Sequence, residues 1–82
     1  MTTLNLDLLL LLRGAGRFGI ELSVALPDLR RGRHRELTLP ELERAMRDLA
    51  DARFATQFTS ALGASRWRIT ALGESALQEE GV

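Results

Sequence analysis

The apolar positions of this chain change period from block to block, and each period predicts a different element. Between Thr38 and Asp51, in TLPELERAMRDLAD, the residues Leu39, Leu42, Ala45, Met46, Leu49 and Ala50 recur at three- and four-residue steps, which stacks them on one face of a helix. Its start is written in the sequence. Thr38 and Glu41 have the spacing of a capping box, and Pro40 sits in the first turn, where its missing donor is no loss. This segment is expected to stand at the centre of the fold.

Residues 4–13, LNLDLLLLLR, predict a first helix, with Thr3 or Asn5 as N-cap and Gly14 as its stop. Leu4, Leu8, Leu11, Leu12 and Ala15 form one stripe, which leaves Leu6, Leu9 and Leu10 over. Two readings fit that surplus: the helix is covered on both sides within the domain, or Leu6, Leu9 and Leu10 bury against a second subunit as a homodimer contact. The glycines at 14, 16 and 19 break the chain, with Phe18 and Ile20 as apolar plugs. A second helix is expected from about Glu21 to Arg31, kinked or restarted at Pro27, with Gly32 ending it.

After the central helix the period shortens to two. RFATQF, residues 53–58, and RWRIT, residues 66–70, read as paired strands joined by the small-residue loop TSALGAS. Phe54, Phe58, Trp67 and Ile69 are expected on the inner face of the hairpin. Thr70 can cap a last short helix, ALGESALQEE, with Leu72, Ala76 and Leu77 on its apolar edge and a frayed acidic end. The pattern as a whole predicts one domain over residues 1–82, α+β and mostly helical.

Composition narrows the function more than the fold. Eighty-two residues at 45% hydrophobic suffice for one small core, and the absence of cysteine removes disulfides, thiolate metal sites and a thiol nucleophile. The run Leu8 to Leu12 is far shorter than the roughly 20 residues that span a bilayer, and its flanks do not match a secretory signal. A cytoplasmic protein without a membrane span is expected. Net charge is zero, so attraction to a polyanion has to be local. All eleven basic residues are arginine, a side chain suited to bidentate contacts with phosphate or guanine.

The one dense charge cluster is RRGRHR. Arg30, Arg31, Arg33 and Arg35 fall there with His34 and no acid, between the second and third helices. Such a cluster can grip a phosphate backbone. It can equally be a solvated loop whose arginines pair with Asp28, Glu36 and Glu41. His34 has no further ligand or oriented partner at a suitable spacing, so no metal site or catalytic residue is expected. No cofactor motif is present. Ser60, Ser65 and Ser75 have no histidine near them in sequence, and no enzyme activity is expected.

Three helices, a hairpin and a last helix, with RWRITALGESAL at the hairpin exit, resemble the winged helix-turn-helix domains of bacterial transcription regulators. The most specific stretch is an aromatic followed by Arg68, Ile69 and Thr70, then Gly73 and Leu77, which is similar to the aromatic-x-[IL]-T-x-x-G-x-x-x-L run common in that family. The resemblance implies a three-helix core, a two-stranded β-hairpin wing and a short C-terminal helix. It implies that the helix from Thr38 to Asp51 is the recognition helix, that residues 59–65 form the wing, and that the state is dimeric.

On that basis a small DNA-binding, transcription-regulator-like protein is expected, with double-stranded DNA as partner. Arg30, Arg31, Arg33, Arg35, Arg66 and Arg68 would hold the backbone, and Arg44 and Arg47 would read bases. The face that carries Arg44 and Arg47 also carries Glu41, Glu43, Asp48 and Asp51, and ion pairs among them account for the arginines equally well. The alternative function is therefore a protein-interaction or scaffolding module without DNA binding.

Overall fold

The computed structural model describes residues 1–82. Four helices and a two-stranded antiparallel sheet follow the chain in the order α1 (Thr3–Ala15), a 3₁₀ turn (Gly16–Phe18), α2 (Leu22–Arg31), α3 (Leu39–Asp51), β1 (Ala55–Thr59), β2 (Ser65–Ile69) and α4 (Ala71–Glu79). The fold is α+β and mostly helical.

The leucine-rich helix, rather than α3, is the hub. α1 packs against α3, α4 and β2, and Leu8, Leu9 and Leu12 have no solvent exposure. Leu4, Leu6, Leu10 and Leu11 are half-buried against the same core. The expected homodimer contact through Leu6, Leu9 and Leu10 is corrected at Leu9, which is consumed by the protein's own core, while Leu6 and Leu10 stay half-buried. The helix cap also moves. Thr2 accepts from the Asn5 N–H at 3.1 Å, and α1 runs past Gly14 to end at Gly16, whose φ of 63° breaks the helical path.

α2 carries Pro27 inside it without a break and contributes Ala25 and Leu29 to the core. α3 begins as its sequence dictates. Thr38 accepts from the Glu41 N–H, while the Glu41 carboxylate accepts from the Thr38 N–H at 3.1 Å and from its hydroxyl at 2.7 Å. Those bonds hold the Glu41 carboxyl below its ordinary range. Leu42, Ala45, Met46 and Leu49 face inward.

At its other end α3 closes in a Schellman motif. Phe54 N–H reaches the Leu49 carbonyl and Arg53 N–H the Ala50 carbonyl, both at 2.9 Å. This requires a left-handed residue, and Arg53 adopts it with φ of 66°. β1 accordingly starts at Ala55 rather than Arg53. A second such closure, through Gly81 and Val82, ends α4, which is capped rather than frayed.

Trp67 and Ile69 share the inner face and Phe54 packs on the core as expected, but the hairpin register places Phe58 on the other face. Ala55 pairs with Ile69, Gln57 with Trp67 and Phe58 with Arg66, so Phe58 shares a face with the arginines and Trp67 shares one with Gln57. The cause is the five-residue link from Ser60 to Ala64. An odd link pairs even-numbered residues with even, so Phe58 cannot share a face with Trp67. The buried pair on the inner face is Ala55 and Trp67. On its other edge, β2 exchanges two backbone bonds with Ile20, of 2.9 and 3.0 Å at Trp67, which fixes the start of α2 against the hairpin. Gly19 makes that approach possible: a Cβ there would lie 2.6 Å from the Trp67 carbonyl oxygen.

The hairpin exit is a packing device. Thr70 accepts from the Gly73 N–H at 3.1 Å and donates its hydroxyl proton to the Arg53 carbonyl at 2.6 Å. Gly73 lets α4 settle on the Phe54 backbone, and Leu77 is fully buried behind it. No helix is long and apolar enough to cross a membrane.

Candidate nucleic-acid interface

The arginine cluster spans the last turn of α2 and the loop into α3, and most of its charge is already engaged. Arg33 makes a bidentate contact with Asp7 of α1, with both N–H···O distances at 2.8 Å, and His34 Nε2 meets the same carboxylate at 2.6 Å. Arg31 pairs with Asp28 one turn back. Arg30 donates from Nε to the Leu37 carbonyl at 2.8 Å and so closes the turn onto its own helix. Arg35 alone among the four makes neither an ion pair nor a side-chain hydrogen bond. Of the anticipated acid partners, only Asp28 is used.

Asp7 anchors the turn. The Arg33 hydrogen bonds, opposed by burial and assisted by His34, pull its carboxyl down to about 2. Folding therefore favours the deprotonated form. The stability this contributes is complete above the ordinary carboxyl value of 3.8 and is lost as pH falls through about 2. Acid unfolding of the parent is expected to show this loss, of about 1 to 2 kcal/mol with solvent screening allowed for, between roughly pH 4 and pH 2. Asp7→Asn should flatten that part of a stability-against-pH curve measured by urea titration. An unchanged curve would remove Asp7 as the anchor. No three His, Asp or Glu side chains gather closely enough to hold a metal ion.

α3 turns Glu43, Arg44, Arg47, Asp48 and Asp51 to solvent, as its helical period requires. Neither Arg44 nor Arg47 has a carboxylate oxygen within 4.0 Å, although Arg44 is near enough to Glu41 for its charge to help hold that carboxyl low. Beside this face runs a groove between α3 and the hairpin. Arg47, Gln57 and Trp67 line it throughout, with Glu43 and Ser65 at one end and Asp51 and Thr56 at the other. Gln57, which hydrogen-bonds to Ser65 across the hairpin, is a groove residue that sequence reasoning left out. The alternation of β1 already placed it opposite the phenylalanines.

Arg66 and Arg68 share the outer face of the hairpin but differ in freedom. Arg66 donates to the Phe18 carbonyl at 3.3 Å and lies 3.9 Å from Glu21, tying the hairpin to the 3₁₀ turn. Arg68 lies over the Phe58 ring, 5.1 Å from its centroid, with no carboxylate partner. Arg17, also absent from the sequence expectations, stacks in the same way on Phe18 at 5.3 Å.

No family model, curated protein or solved structure matches the chain.

Proposed function

We propose that the chain is a small winged-helix protein that binds double-stranded DNA, in the manner of a transcription regulator. α3 is its recognition helix and the hairpin from β1 to β2 its wing. One observation carries the reading: α3 presents Arg44 and Arg47 to solvent beside the hairpin groove, one helical turn apart and with no carboxylate oxygen within 4.0 Å of either guanidinium. A guanidinium so placed has its N–H fork available for the guanine O6 and N7 edge. The helix order and the hairpin exit motif agree with it.

Backbone contacts are redistributed in this reading. Arg30, Arg31, Arg33 and Arg66 shape the turn and the hairpin, whereas Arg35 and Arg68 retain free guanidinium groups for phosphate. Arg47→Ala is expected to reduce discrimination between a selected duplex and a scrambled one by about 1 to 3 kcal/mol, or roughly 5- to 150-fold, with a smaller loss on scrambled DNA. Competition binding measures both. Equal losses on both duplexes would make Arg47 a phosphate contact, and no loss on either would remove it from the interface.

A second reading, a protein-interaction module that ignores DNA, is favoured by the hairpin tip. Leu62 is 94% exposed there, on a turn closed by the Ser60 and Ala64 backbone bonds, with no charged residue between Thr59 and Ser65. That reading predicts DNA binding no stronger than for any neutral protein at low salt.

A further inference from the structure

Two arginines outside the α3 groove converge on one cleft. Arg17 stacks on Phe18 and Arg68 on Phe58, and both line an open cleft walled by Gly16, Thr56, Thr70 and Glu74. Neither makes an ion pair, and neither gives a side-chain hydrogen bond. They differ in this from Arg30, Arg31, Arg33 and Arg66. An aromatic face beneath a guanidinium restricts its rotamers while leaving its N–H fork free, so less freedom is lost when an oxyanion arrives. The Phe58 ring is itself held, with its edge against Gly19, where a Cβ would lie 2.7 Å from the ring.

Two cations face one carboxylate, Glu74, so the cleft is locally positive on a protein whose net charge is zero. The cleft also adjoins the α3 groove: Thr56, on the exposed edge strand, lines both it and the part of the groove that holds Arg47. The geometry points to a phosphate-binding site at Arg17 and Arg68, which takes a backbone phosphodiester of the same DNA that lies against α3. This inference rests on the DNA-binding reading above. Phosphate oxygens accept paired N–H bonds from each guanidinium, and neutralising them releases counterions. Glu74 opposes the ligand and limits its affinity.

The test uses the full chain as parent, Arg17→Gln, Arg68→Gln, Glu74→Gln and, as a control outside the cleft, Arg13→Gln. Binding to a mixed-sequence duplex is followed by anisotropy over a salt series, and the amide NMR spectrum is titrated with inorganic phosphate. Arg17→Gln is expected to weaken binding about three- to tenfold and to make the slope of log K against log salt shallower by about 1, with Arg13→Gln matching the parent. Glu74→Gln should tighten binding. Arg17→Gln is the deciding variant, because its ring Phe18 is 68% exposed and the core does not depend on the stack, whereas Arg68→Gln also loosens Phe58.

If the parent binds DNA and Arg17→Gln matches it in affinity and slope, the site is overturned while the DNA reading stands. If the duplex is ignored but phosphate shifts the amides around Gly16 and Arg68 in the parent and not in Arg17→Gln, the DNA reading falls and the phosphate site remains. Silence in both arms overturns both.

Discussion

Gly73→Ala is expected to destabilise the protein by about 3 kcal/mol or more, a large fraction of the stability of a domain of this size. A Cβ at that position would lie 2.2 Å from the Phe54 carbonyl oxygen and 2.7 Å from the Ile69 side chain. The obstacle is backbone rather than a flexible side-chain tip, so α4 would have to lift away from the α3–β1 connection. Gly14→Ala is the matched control. Gly14 is also helical, but nothing lies within 4 Å of its would-be Cβ, and the change should stabilise by about 0.5 to 1 kcal/mol through backbone entropy alone. Urea unfolding followed by circular dichroism reads both. A tolerated Gly73→Ala would mean that α4 does not sit on the Phe54 backbone.

Leu9→Ala should cost about 2 to 5 kcal/mol, the range for emptying a fully buried leucine site, and should leave the sedimentation coefficient of the folded fraction unchanged. If Leu9 instead faced a second subunit, the same change would shift the protein to a smaller species with little loss of intrinsic stability. Denaturation at two protein concentrations separates these outcomes, because a dimer-linked midpoint moves with concentration and a core-linked one does not.

The sequence was most legible where a local signal and a period agreed. Thr38, Pro40 and Glu41 defined the start of α3, and its three- and four-residue apolar steps defined its buried face, because both act within a few residues. Leu8 to Leu12 had no such period. Five consecutive leucines surround a helix, and only the packing of α3, α4 and β2 decides that Leu9 is inside. The hairpin is recognisable from its two alternating runs, and Trp67 and Ile69 share the inner face those runs suggest, whereas Phe58 does not. Strand alternation gives parity within a strand, whereas the link length gives parity between strands.

The candidate site divides along the same line. Arg44 and Arg47 were readable because a helix period carries them to the surface, and their missing ion pairs emerge only in three dimensions. The Arg30–Arg35 cluster was visible as a charge run, but the fate of Arg33 depends on Asp7, 26 residues earlier in the chain. Nothing local announces that pairing. Arg17 and Arg68 are further apart still in sequence, and the cleft they share exists only once the 3₁₀ turn docks against β2.

In the proposed reading, this fold presents its free arginines to nucleic acid. Fluorescence anisotropy of a labelled mixed-sequence duplex, titrated with the full chain from low to moderate salt, tests it most directly. Micromolar or tighter binding at low salt, falling linearly on a log–log plot with a slope of about −2 to −4 for a few neutralised phosphates, is the predicted result. Absence of binding at the lowest salt, from protein that circular dichroism finds folded, would contradict it.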